Sequence, residues 1–225
     1  MDVAANLGVV RAHLEAACRA AGREVSTVTL VAVSKGQPAE AIRAAHAAGQ
    51  RDFGENYAQE LRDKAQQLAD LPDLRWHFLG ALQTNKVKYV APVTTLFHAL
   101  DRLEVAAELQ RRLLGLGRTM DVLLEVNVAG EAQKHGISPT EAAALADQVR
   151  AFTQLRLRGL MCVPPAVDEA EASRPHFRAL RELGGRLGLN ELSMGMSGDY
   201  EVAVQEGATL VRVGTAIFGP RQKPA

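Results

Sequence analysis

Short apolar runs alternate with longer stretches of helical periodicity along the whole chain, and this alternation limits the fold more than any other feature. The strand candidates are TLVAVS (29–34), RDFG (51–54), RWHFLG (75–80), TLFHAL (95–100), DVLLEVN (121–127), LRGLMCV (157–163), ELSMGM (191–196) and TLVRVG (209–214). Between them lie alanine- and leucine-rich segments such as PAEAIRAAHAAG, DRLEVAAELQRRLLGLG, SPTEAAALADQVRAF and RPHFRALRELGGRLG. Proline opens several of these and glycine closes several, as helix starts and stops require. Eight such units predict a single (β/α)₈ TIM barrel over 1–225, ahead of an open doubly wound sheet, which seldom uses so many. No low-complexity linker or shift in composition marks a domain boundary.

Composition removes several classes of partner. Lys plus Arg and Asp plus Glu each number 26, so no excess charge points to nucleic acid or to an anionic membrane. The N-terminal stretch carries arginine, histidine and glutamate among its apolar residues, which suits an amphipathic helix better than a secretory signal. No apolar run reaches the roughly 18 residues of a membrane span. Cys18 and Cys162 form no CxxC pair, so neither a disulfide framework nor a zinc site is predicted. The histidines at 13, 46, 98, 135 and 176 show no HxH or HExxH spacing, and no metal is expected. A cytoplasmic protein is the resulting expectation.

In a barrel, the C-terminal ends of the strands converge on one mouth. The residues that this sequence sends there are Lys35, Glu55 with Asn56, His77, Asp101, Asn127, Met161, Ser197, and Arg212 with Gly214 and Thr215. Singly, most fit loop or helix-cap positions; together they make a site. The turns GMSGD (195–199) and VGTAIFG (213–219) follow the last two strands, where barrels often bind phosphate through backbone amides. Ser197 and Thr215 would add hydroxyl donors. GMSGD is not a GxSxG nucleophile elbow, because Asp199 stands where glycine is needed, and neither GxGxxG nor GxxxxGK[ST] occurs. A lysine at a strand end beside an apolar cavity is desolvated, which favours the neutral amine that condenses with a carbonyl. Lys35 opposite a phosphate site therefore points to an aldehyde that carries a phosphate, with pyridoxal 5′-phosphate the simplest choice.

The motifs AVSKGQP, FGENYAQE, WHFLGALQTNK, KHGI, RGLMCV and SMGMSGDYEVAVQEGATLVRVGTAIFG resemble those of the pyridoxal phosphate homeostasis family over nearly the whole chain. The resemblance implies a barrel like the N-terminal domain of alanine racemase and a role in vitamin B6 and amino-acid homeostasis. It implies that Lys35 holds the cofactor as an internal aldimine, that Asn56 and His77 line the ring pocket and that Met194 packs nearby. Ser197, Gly214 and Thr215 would bind the phosphate, and Arg212 would face the pyridine nitrogen. Lys134 matches a second family lysine near the mouth, while Gln37 stands where many relatives carry another basic residue.

Arg212 stays charged, so beside the pyridine nitrogen it disfavours ring protonation and weakens the ring as an electron sink. Racemisation needs an acid–base group on each face of the bound substrate, and Tyr57, Tyr89 and Tyr200 are the only tyrosines. By the same resemblance, the opposing tyrosine of alanine racemase comes from a second domain, and the expectation is that no such domain covers the mouth here. The expectation is a non-catalytic monomeric carrier of pyridoxal phosphate, with no catalytic residue assigned and apo forms of cofactor-dependent enzymes as candidate partners. Two alternatives stand beside it. One is a weak cofactor-dependent amino-acid racemase, and the other is a barrel lyase that forms its Schiff base with a phosphorylated carbonyl substrate.

Overall fold

A computed structural model describes residues 2–131 and 133–220. Eight strands pair in parallel and in sequence order, β1 to β8, and the last returns to the first to close the barrel. They are β1 (Thr29–Val33), β2 (Asp52–Glu55), β3 (Arg75–Phe78), β4 (Thr94–Leu100), β5 (Met120–Glu125), β6 (Leu155–Met161), β7 (Glu191–Ser193) and β8 (Leu210–Val213). The (β/α)₈ expectation from the alternation of periods is met.

The outer layer comprises α1 (Val3–Ala20), α2 (Ala39–Ala47), α3 (Ala58–Gln67), α4 (Val87–Val90), α5 (Leu103–Leu116), α6 (Ala142–Arg150), α7 (Arg174–Leu187), α8 (Tyr200–Gln205) and α9 (Thr215–Phe218). Asp2 caps α1 by accepting the Ala5 N–H at 3.0 Å, and the helix, which lies against α2, α8 and α9, buries Leu7, Val10 and Leu14. Each long helix buries one apolar stripe, as in α5 with Val105, Leu109 and Leu113. No helix among the described residues is long and apolar enough to cross a membrane.

One strand is half the length its sequence suggests, and one crossover carries no helix long enough for the sequence to show. ELSMGM yields only three strand residues, because the chain turns at Gly195 with φ 91°, a left-handed conformation that glycine adopts without a Cβ penalty. Between β3 and β4 the crossover is a 3₁₀ turn at Thr84–Lys86 followed by the single turn of α4. Where β6 meets β7, Gly159 is packed so tightly that an added Cβ would lie 1.8 Å from the Glu191 carbonyl oxygen.

Candidate functional site at the barrel mouth

Side chains alternate across a strand, so residues two apart share a face. Val33 and Lys35 from the β1 end, Leu79 beyond β3, Met161 and Val163 from β6, and Arg212 and Gly214 from β8 line one cavity of about 380 Å³. Asn56, Met196, Ser197, Gly198 and Thr215 complete its wall. Six of the eight predicted site residues therefore meet: Lys35, Asn56, Ser197, Arg212, Gly214 and Thr215.

Two do not line it. His77 lies deeper in the barrel, with its ring bonded to Asp52 and His98, and Met194 is fully buried. Alternation gives the face of His77 correctly but not its depth: Leu79, two residues on, occupies the cavity wall instead. Met194 follows the last residue of β7, where strand alternation has stopped being a guide. Glu55, expected at the mouth, is the final residue of β2 and turns outward to α3.

That outward turn has a use. Ser34 Oγ donates to Glu55 Oε1 at 2.6 Å, and Lys64 Nζ from α3 reaches Glu55, Glu60 and the Ser34 carbonyl, each at 2.7 Å. Glu60 in turn accepts the Gly36 N–H at 2.6 Å. The residues on both sides of Lys35 are thus tied to α3, which fixes the backbone from which the half-buried lysine projects. Burial pushes the Glu55 carboxyl up to about 7 in spite of the Lys64 ammonium beside it, and its second oxygen has no hydrogen-bond partner.

On the opposite wall, the two glycine-bearing turns are joined where the Gly214 N–H donates to Ser197 Oγ at 3.3 Å. Asp199, legible in the sequence only as a departure from GxSxG, accepts the Met196 N–H at 2.7 Å and the Ser173 hydroxyl at 2.9 Å and so shapes this turn. A Cβ at Gly214 would lie 3.1 Å from the Val33 carbonyl, so only glycine lets β8 approach β1 here without displacement. Arg212 forms the base of the cavity, with Nη1 on Ser193 Oγ at 2.7 Å and Nη2 on the Cys162 carbonyl at 2.9 Å. Burial lowers its pKa from the usual arginine value, while Glu125 and Asp199 oppose that effect. Burial also raises Glu125, to about 7, with Asp101 adding to the rise. Lys134 pairs with Glu131 at 2.6 Å and lies 3.5 Å from the Val163 carbonyl at the rim. Of the tyrosines, Tyr57 is exposed beside Asn56, Tyr89 carries Arg62, Lys86 and Lys88 over its ring, and Tyr200 is buried with its pKa raised by that burial.

An amine, a guanidinium and a wall of hydroxyls and amides surround a ligand-sized space, a donor set that suits an aldehyde bearing an anion. Barrel and mouth together place the chain in a known class: it belongs to the family of the alanine racemase N-terminal domain, whose profile matches residues 6–222. Within that class it belongs with the pyridoxal phosphate homeostasis proteins. It is 50% identical to the protein of that name from Pseudomonas aeruginosa, over 97% of this chain and 96% of the relative, and 43% identical to the one from Aquifex aeolicus over 99% and 100%. PipY of Synechococcus elongatus, solved with pyridoxal phosphate bound, superposes with a TM-score of 0.83 at 38% identity, covering 96% of this chain and all of PipY. Alanine racemase of Clostridium difficile shares the fold at a TM-score of 0.75 and 13% identity; the match covers the whole of this chain and 56% of the racemase.

Proposed function

We propose that this protein binds pyridoxal 5′-phosphate at the barrel mouth as a Schiff base on Lys35 and serves cytoplasmic vitamin B6 and amino-acid homeostasis as a non-catalytic, monomeric carrier. The observation that carries this reading is the meeting of Lys35, Arg212 and the Ser197–Gly214–Thr215 wall in one cavity. The cofactor supplies an aldehyde that condenses with an amine and a phosphate that needs donors. Lys35 provides the amine, and Ser197 with Thr215 and the adjoining amides receives the phosphate. Asn56 and Leu79 flank the ring, and Arg212 opposes the pyridine nitrogen, where its fixed charge keeps that nitrogen unprotonated. The names of the relatives and the ligand of PipY support the choice of cofactor. The carrier role is favoured because, among the described residues, no tyrosine lines the cavity: Tyr57 is exposed on a neighbouring pocket, Tyr200 is buried and Tyr89 lies under basic side chains. Apo forms of cofactor-dependent enzymes are the recipients this reading implies.

The test is spectroscopic. Purified protein should be yellow, borohydride should bleach the band, and peptide mass analysis should find the reduced cofactor on Lys35. A protein that stays colourless after incubation with pyridoxal phosphate rejects the cofactor. Steady deuterium exchange at the α-carbon of alanine or serine rejects the non-catalytic part of the reading.

A further inference from the structure

Behind the cavity, polar side chains run through the barrel interior in a line. From Arg212 the line passes to Ser193 Oγ, which lies 2.8 Å from His98 Nδ1. His98 Nε2 is 2.9 Å from His77 Nδ1, and His77 Nε2 is 3.0 Å from Asp52 Oδ1. Arg75 closes the far end, with Nε and Nη2 on the two Asp52 oxygens at 2.8 and 2.5 Å. Every member of the line from Arg212 to Asp52 is buried. Apolar residues of similar volume often fill such a space with greater stability, so these groups call for a role.

The direction of each bond follows from its ends. Arginine can only donate, so Ser193 Oγ accepts from Arg212 and turns its own proton to His98 Nδ1. A neutral His98 then carries its proton on Nε2 and donates to His77 Nδ1, and His77 in the same way donates through Nε2 to Asp52. Both ends enforce this. Burial raises the Asp52 pKa, but hydrogen bonds from Arg75 and His77 hold it at about 2, so a carboxylate terminates the line. Burial, with His77 and Arg212 nearby, keeps the His98 pKa well below the usual histidine value. A proton on both nitrogens of His77 would make its Nδ1 a donor, force the opposite tautomer on His98 and leave the Ser193 hydroxyl proton without an acceptor in the line.

We propose that Ser193, His98, His77 and Asp52 are positioning residues for Arg212, forming a one-way hydrogen-bond relay that fixes the plane of its guanidinium toward the ring nitrogen of the bound cofactor. The bonds from Nη1 and Nη2 to two different acceptors set that plane, and they engage two of the five N–H donors of the side chain. Polarisation along a buried chain that ends in a carboxylate strengthens each bond in it. The identity of the ligand rests on the pyridoxal phosphate reading; the relay stands on the protein alone.

Two measurements separate these. In ¹⁵N NMR of cofactor-free protein, His77 and His98 should both appear as Nε2–H tautomers, and His98 should not titrate while the protein remains folded. A His98 found protonated or as the Nδ1–H tautomer overturns the relay. Ser193→Ala should leave His98 as the Nε2–H tautomer, still fixed by His77 and Asp52, but weaken pyridoxal phosphate binding about 3- to 10-fold and shift the absorbance of the bound cofactor. Weaker binding with the absorbance of the bound cofactor unchanged would mark Ser193 as mere packing and overturn the relay. Should Ser193→Ala fail to fold, the spectrum of the unaltered protein decides. Unaltered protein with the expected tautomers that takes up no pyridoxal phosphate supports the relay and rejects the cofactor.

Discussion

Lys64 contacts two carboxylates and a strand-end carbonyl at once, and it does so while 6 % exposed. Its partner Glu55 has a folded pKa of about 7 against an ordinary 4.5, so its contribution to stability is fully present below about 4.5 and is lost as pH rises through about 7. Lys64→Met removes the ammonium and leaves Glu55 buried beside Glu60. The variant should be destabilised by about 3–5 kcal/mol at pH 8, by analogy with other broken buried pairs, and by clearly less at pH 5, where Glu55 is protonated. Urea unfolding at the two pH values checks this; an equal loss at both would mean that the carboxyl stays ionised throughout. Single residues also show what a sequence conceals. Lys35 and Arg212 are legible because a charge interrupts an apolar strand, and Gly214 because it sits in a turn. Ser193 and Asp52 are not, since a serine or an aspartate in a strand reads the same whether it faces a helix or the barrel axis.

Among the elements, the long helices announced themselves best. α5 and α7 end at Gly117 and Gly188, both left-handed with φ 63° and 65°, as the glycine punctuation suggests. Nothing lies within 4 Å of a Cβ built on Gly188, so the cost of Gly188→Ala is conformational alone, about 1–2 kcal/mol. Gly8 lies inside α1, where its Cβ would also be uncrowded, and Gly8→Ala should stabilise by about 0.5–1 kcal/mol. Opposite shifts in the urea midpoints of the two variants are the expected outcome. α3 is harder to read, because its buried face holds Ala58, Leu61 and the stem of Lys64 and so lacks a clear apolar stripe. The crossover after β3 is hidden for another reason: a 3₁₀ turn and one turn of α-helix are too short to show periodicity.

For the molecule as a whole, counting units sufficed to identify the barrel, since eight strands in sequence order close on themselves. What the count cannot supply is the depth of each inward side chain, which depends on strand stagger; His77 illustrates this. A ligand that binds only the folded barrel must stabilise it. Pyridoxal phosphate at about 100 times its Kd should add about 2.7 kcal/mol to the unfolding free energy. Lys35→Ala should lose most of that gain. Thermal unfolding with and without cofactor reads both, and an equal gain in the variant would show that the amine is not the anchor.

The alternation that brings Val33 and Lys35 to the cavity, and Asp52 with Asn56 to the barrel interior, has a consequence for how this sequence can change in length. Deleting one residue within β1 would swing Lys35 from the cavity to the helix layer, whereas deleting two would return it to the correct side one step lower. The inner half of the protein is therefore governed by odd and even: its strands accept exchanges of residue more readily than any change in their number, and gains or losses of length belong in the loops on the far side of the helices.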